Sequence, residues 1–463
     1  MGKQQKSSNK NPQPTKAEKA QTIEDLVINE KDLKKSSNKK PFPKKLIFSI
    51  TTGILLLIII TSVIFLLLPN TTNTPGSDPK QLTEVEGTPT WFYDNLTGEA
   101  ISHSGTQYDQ SGTAILDETG KTKKLTIEQA EQIANDINSE PTFCIQIPNG
   151  VDGARPQVGL NSASIVFEAI AEAGITRFAA IFKNPINQSA LGPIRSLRVY
   201  HLDWDSPFDC TIVHAGGADD ALSAVSTGYK HLSESYTYMW RSSGRWTRSG
   251  FLGYYAPNNL LTSGSLLARF HREKENDLRS HPQSFPRLTP EESTNQQQLV
   301  QKSTEQTEQT TPTHKQISNI HINFNWQANF NVSYLYNQNT NTYFRSFQNG
   351  EKHLSYTCEH TKEQPSPHFD CPAPTQINPD VVIVMRVKQR TSPLDHYHED
   401  ITTIGSGSTY IFQNGTVFEG SWHKSDRSSQ IIFKDSNGEI IKLKPGRTWI
   451  SAIPESYGKI SYD

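Results

Sequence analysis

The chain has 463 residues, a formal charge of −2 and 34% hydrophobic residues, which is too long for one ordinary domain and suits two folded units with appendages. The near-neutral total hides an asymmetry, because residues 1–45 hold twelve lysines and five acids, a net of +7, leaving the remainder near −9. An acidic remainder excludes nucleic acid as its partner, since phosphate binding needs a basic surface.

In chain order, residues 1–45 are Lys, Ser, Asn, Gln and Pro with almost no aromatics, a composition that reads as a disordered tail. Residues 46–68, LIFSITTGILLLIIITSVIFLLL, carry no charge. At about 1.5 Å per residue this run spans a hydrocarbon core of roughly 30 Å, and it outlasts the apolar region of a secretory signal, about 7–15 residues. Lys39, Lys40, Lys44 and Lys45 precede it, whereas residues 69–90 hold only Lys80. The asymmetry predicts a single-pass anchor in the cytoplasmic membrane, with the N-terminus inside and everything after a 69–90 linker outside.

Residues 91–290 are expected to form an α/β unit on a mixed or mostly parallel sheet. Thr126 and Gln129 have capping-box spacing and open a helix through about Asn138. TFCIQI, TRFAAIF and CTIVHAGG read as strands. SASIVFEAIAEAG reads as a helix ended by Gly174, GPIRSLRVYHLDW as helical, and ADDALSAV and LTSGSLLARFHREKE as helices. Strands alternating with helices give this class. Residues 291–316 are rich in Gln, Thr and Glu and read as a linker or solvated loop. Residues 317–463 change to alternating apolar runs, with hairpin turns at Asn414-Gly415 and Asn437-Gly438, and predict a β-rich domain.

Four cysteines in an exported region permit disulfides. Cys358 and Cys371 enclose a short loop and are the better pair; a zinc site with His360 and His368 fits known ligand spacings less well. Cys144 and Cys210 lie in strand-like runs, as buried thiols or as a pair across neighbouring strands.

With this order fixed, the runs ARPQVGLNSASIVFEAIAEAGITRFAAIF, GPIRSLR and FDCTIVHAGG, followed by GSGSTYIFQNGTVFEGSWHKSD and IIFKDSNGEIIKLKPGRTWISAIP, resemble the YerB-like family of bacterial envelope proteins. The resemblance covers about three quarters of the chain in the family's order. It implies two consecutive domains of unknown function on a surface-exposed envelope protein, and supplies no catalytic residues. Members are often lipoproteins, but a lipobox cysteine is absent. The family's Asp-Asn after the first strand is Pro148-Asn149 here.

Charges set inside apolar periodicity must be paired or functional. They are Arg155, Glu168, Glu172, Arg177, Arg195, Arg198 and His214. The arginines suit a fork-shaped clamp for a carboxylate or phosphate; a salt-bridge network fixing helices on a sheet is the simpler account. His214 ends a strand, and Gly216 and Gly217 after it would let a ligand approach the backbone. Asp219 and Asp220 follow at once and would repel an anion. A triad of Ser196, His214 and Asp203 or Asp209 has weak support, since Ser196 lacks the nucleophile elbow. His396 and His398 within Asp395–Asp400 make a weaker metal grip than a solvated loop. Tyr236, Tyr238, Trp240 and Trp246, with Arg241 and Arg245, suit a stacking platform or a core. No cofactor and no metal are expected. The leading expectation is a binding or scaffold module for peptidoglycan or envelope proteins; the rival is a hydrolase or transferase on wall glycan or peptide, with His214 and Glu168 as acid and base.

Overall fold

The computed structural model describes residues 88–242, 254–275, 278–305, 316–359 and 371–463. The basic tail, the apolar run 46–68 and nearly all of the 69–90 linker lie outside the described residues, as do Arg245 and Trp246. Among the described residues no helix is long and apolar enough to cross a membrane.

Two sheets dominate, and their strands are labelled here in chain order. They are β1 Thr142–Pro148, β2 Ile165–Glu172, β3 Ile175–Lys183, β4 Thr211–Val213 and β5 His231–Leu232. From the second half come β6 Asn319–Asn323, β7 Val332–Asn337, β8 Thr342–Phe347, β9 Val381–Val387 and β10 Gly405–Gln413. The last are β11 Thr416–Lys424, β12 Ile432–Lys434, β13 Thr448–Pro454 and β14 Lys459–Tyr462. The ten-stranded sheet runs β5-β4-β1-β3-β2-β13-β9-β10-β11-β12 and the four-stranded sheet β8-β7-β6-β14. Strand β13 is parallel to both β2 and β9. The mixed sheet is therefore continuous from the α/β half into the β-rich half, and its join is made by the last long strand of the chain.

Alternation along the central strands splits the core into two faces. Phe143, Ile145 and Ile147 of β1 join Val166 and Ile170 of β2 and Val382 and Val384 of β9 on the face that meets Ile320, Ile322, Val332 and Tyr334 of the small sheet. Cys144, Phe167, Ile181, Ile383 and Ile450 point the other way, toward Tyr200, Leu202 and Trp204 of helix α2 (Val199–Asp205) and Ala221 of α3 (Asp219–Val225).

Three expectations are corrected. Residues 165–172 are strand β2, buried along its whole length. A strand covered on both faces shows no polar alternation, and Glu168 and Glu172, four apart, mimic a helical stripe. Ala173 (φ 47°) and Gly174 (φ 80°) then make a hairpin into β3, so that glycine ends a strand. In GPIRSLRVYHLDW only Val199–Asp205 is helical; Arg195 and Leu197 instead bond the backbone of Ala215 and Gly216. Finally, Pro290–Glu305 is a helix and no linker. Thr289 and Glu292 cap it reciprocally, with Thr289 N donating to the Glu292 carboxylate at 2.7 Å and Glu292 N to Thr289 Oγ1 at 3.1 Å, a capping box followed by Pro at the first position.

The Thr126 capping box and the first helix, α1 (Ile127–Asn138), form as the sequence indicates. Asn414 and Gly415, both at positive φ, turn β10 into β11, the conformation that makes Asn-Gly a hairpin signal.

Candidate functional site

The charges within the apolar strands separate into two buried networks. In the first, Glu168 of β2 faces the small sheet and meets Arg345 of β8 at 2.7 Å, both side chains fully buried. The carboxylate also accepts from Thr176 Oγ1 (2.8 Å), Asn149 Nδ2 (3.3 Å) and Trp449 Nε1 (3.4 Å). Arg345 donates onward to His353 Nδ1 (2.8 Å) and the Tyr334 hydroxyl (2.5 Å), and lies 4.7 Å from the Trp449 ring centroid. Burial, with Arg345 and Arg155 nearby, holds the His353 pKa well below its ordinary value. Asn149 Oδ1 accepts from Arg155 Nε at 2.9 Å, and the Arg155 guanidinium lies 3.7 Å from the Phe347 centroid. Burial, reinforced by Arg345, pulls Arg155 down to about 9. This network bonds the two sheets together. Among the groups that hold it, Tyr334, Arg345, His353 and Trp449 escaped the sequence reading. Arg345 had a signal, since it shares the inward phase of β8 with Tyr343 and Phe347.

In the second network Glu172 binds Arg177 through one carboxylate oxygen and Arg198 through the other, each at 2.5 Å. Burial alone would raise the Glu172 pKa; the two guanidiniums outweigh it and leave it lowered. Arg177 NH1 also donates to the Ser196 carbonyl (3.1 Å) and Arg198 NH1 to that of Leu197 (2.9 Å). Burial, with Arg198 and then Arg195 as like charges, brings Arg177 down to about 10. Two of the predicted arginines, Arg177 and Arg198, therefore share one carboxylate; Arg195 acts there only as a like charge on Arg177, and Arg155 stands in the other network.

Arg198 and Gly217 line a cleft of about 200 Å³ that opens beside this network. Its lip carries five carboxylates, Asp219, Asp220, Asp395, Glu399 and Asp400, with His398. Burial, and then Asp400 as a neighbour of like charge, raises the Glu399 pKa. The 395–400 segment is a turn into a short strand, Glu399–Ile401, with His396 at φ 56°, so its two histidines do not share a strand face. His398 Nδ1 bonds Asp395 at 2.5 Å. Among the described residues no cluster of His, Cys, Asp and Glu could hold a metal ion.

His214 does not join Glu168. Its Nδ1 lies 2.8 Å from the Gly216 carbonyl, its Nε2 lies 3.3 Å from His231 Nδ1, and the ring is buried. Burial lowers its pKa. The triad fails on its acids as well, because Asp203 pairs with Arg427 (2.5 Å) and Asp209 with Lys230 (2.8 Å). Gly216 takes φ 67°, and a Cβ on Gly217 would stand 3.0 Å from Leu222 Cδ2 and 3.2 Å from the Leu197 carbonyl oxygen. The second glycine suits the close packing of Leu222 and the Leu197 carbonyl against it.

Cys144 and Cys210 form a disulfide across a separation of 66 residues, and Cys358 and Cys371 form another across 13. The aromatics of the 236–246 run disperse: Tyr238 is buried against Phe270, Tyr236 is exposed, and Trp240 packs in a separate small cluster with Tyr254.

Comparison with known proteins places this geometry. Residues 128–276 match the profile of the N-terminal domain, and residues 320–450 that of the C-terminal domain, of a protein family of unknown function, DUF3048. A Bacillus subtilis protein described as "Putative lipoprotein YerB" is 25% identical over 342 residues, covering 73% of this chain and 85% of that one. The crystal structure of the YerB protein from Bacillus subtilis superposes with a TM-score of 0.54 at 20% identity, covering 80% of this chain and 99% of that one.

Proposed function

This chain belongs to the YerB-like family, whose two domains have no assigned function, and from that premise we propose that it is a membrane-anchored, extracytoplasmic binding module. Its anchor in this reading is the uncharged run 46–68, held N-terminus inside by the flanking lysines. The description of the Bacillus relative as a lipoprotein supports an envelope location.

The observation that carries the reading is the cleft lined by Arg198 and Gly217 and rimmed by Asp219, Asp395 and Asp400. Behind it Arg177 and Arg198 are committed to Glu172, and the five carboxylates outnumber the partners of Asp395 and Asp400, which are His398 and Arg390, so the surface offered to a ligand is acidic. Such a surface favours cationic groups, which free amines of wall peptide or basic segments of an envelope protein would supply. A hydrolase or transferase acting through His214 and Glu168 draws no support from the geometry, since the two are engaged in separate buried positions.

The test is retention of the protein by isolated cell wall and by envelope extracts, comparing wild type with Asp219→Lys/Asp400→Lys. Salt-sensitive retention lost in the charge-reversed variant is expected. Absence of retention by either material, or equal retention of the variant, would count against this site.

A further inference from the structure

A second cleft, of about 860 Å³, opens where the C-terminal end of α2 meets the segment leading into β4. Its wall includes Cys210 and Asp205, and Cys210 is bonded to Cys144. The Asp205 side chain is fully buried, and its Oδ1 has no hydrogen-bond partner. Its Oδ2 accepts from Gln146 Nε2 at 2.9 Å. Gln146 and Cys144 alternate on β1 and so share one face of the strand, and Cys210 Sγ lies 3.5 Å from the Asp205 carbonyl oxygen. The acid at the end of α2 is therefore tied to the disulfide on both sides, its carboxylate to the residue two places from Cys144 on β1 and its backbone carbonyl to Cys210, just before β4.

We propose that the Cys144–Cys210 disulfide is an exchangeable redox bond, reduced through this cleft by an external dithiol, with Asp205 as the proton donor to the departing sulfur. The dithiol's thiolate attacks Cys210 Sγ, the Cys144–Cys210 bond breaks, and its electron pair stays on Cys144 Sγ, which takes the Asp205 proton. The donor's second thiol, deprotonated by Asp205, attacks the mixed disulfide and releases the Cys210 thiolate, which is protonated from solvent to replace the proton lost when the first thiol ionised. The protein gains two thiols and the dithiol becomes a disulfide.

Three further features favour this chemistry. Burial raises the Asp205 pKa well above its ordinary value, which favours the protonated acid. The other charges at the cleft are compensated in pairs, Lys230 with Asp209 and Arg427 with Asp203, leaving Asp426; an uncharged dithiol meets no repulsive wall. The bond also joins two parallel neighbours of a sheet that is hydrogen-bonded independently of it, which lets the fold persist while the bond opens.

The experiment treats the full chain in detergent with dithiothreitol, traps thiols with a maleimide and locates them by peptide mass spectrometry. Cys210, which lines the cleft, is expected to label in the folded protein at a rate proportional to dithiothreitol and insensitive to sub-denaturing urea, and the buried Cys144 to label when the quenched protein is afterwards denatured. Asp205→Asn is expected to slow the reaction at least tenfold at neutral pH and to change its pH profile. Reduction only under unfolding conditions, seen as no Cys210 labelling in the folded protein, overturns the proposal, and that arm needs no variant. An Asp205→Asn protein that reacts at the wild-type rate with the wild-type pH profile overturns it equally.

Discussion

Replacing Arg345 with Met removes the cation that Glu168 faces and leaves a carboxylate sealed between two sheets. Both side chains are fully buried and 2.7 Å apart, and the remaining donors to the carboxylate, from Thr176, Asn149 and Trp449, are all neutral. Removing one partner of a buried pair costs about 3–5 kcal/mol, whereas exchanging both for uncharged groups of similar volume is often close to neutral. Arg345→Met and Glu168→Gln are therefore each expected to lose about 3–5 kcal/mol, and the double variant to recover at least roughly 2 kcal/mol of their sum. The assay is urea unfolding followed by tryptophan fluorescence, with the dependence on urea held equal across the cycle. If Arg345→Met loses less than about 1 kcal/mol, water reaches the pair and the assignment of Glu168 to a sealed structural role is wrong. The same cycle bears on function, because a Glu168→Gln protein that is stable yet inactive in wall assays would restore the general-base reading.

Asp205 gives a prediction with a definite sign. Its folded pKa is raised, so the folded state binds more protons than the unfolded one, and stability falls as pH rises from the unfolded value, about 4, toward the folded one. Asp205→Asn should abolish that slope and gain on wild type by up to about 1.4 kcal/mol per pH unit over that window, read from unfolding midpoints at several pH values; parallel curves would show that the acid is ionised when folded. Deleting residues 448–463 removes β13 and β14, and should leave no cooperative unfolding transition, because β13 bonds β2 to β9; a truncated protein with wild-type near-UV circular dichroism would refute that role. Gly415→Ala places a Cβ 2.6 Å from the Tyr336 ring at φ 74°, whereas Gly438→Ala at φ 86° meets nothing within 4 Å. Both should destabilise, by more than about 1 kcal/mol at Gly415 and by less at Gly438; thermal melts that reverse the order would contradict the turn geometry.

Where the sequence could be read, one surface of an element was wet. The Thr126 capping box is exposed, and Asn319–Asn323 and Val332–Asn337 alternate in burial as solvent on one face dictates; the buried Asn414-Gly415 turn was legible from its residue types alone. It misled at β2, where both faces are covered and the periodicity that separates strand from helix is erased. The helix Pro290–Glu305 failed for the opposite reason: little of it is buried, so only its capping residues marked it.

The candidate site was half legible for a related cause. Charges inside apolar runs signalled that partners exist, and Glu172, Arg177 and Arg198 do meet. Which partners they find depends on a topology no local pattern records. Glu168 belongs with Arg345, 177 residues later, because β13 threads between β2 and β9 and closes the small sheet over β2 through β14. That topology also explains why the two halves should travel together as one unit. A buried ion pair that holds each half to the other would be an uncompensated charge in either half alone, so separating them would cost more than the apolar contacts between the sheets.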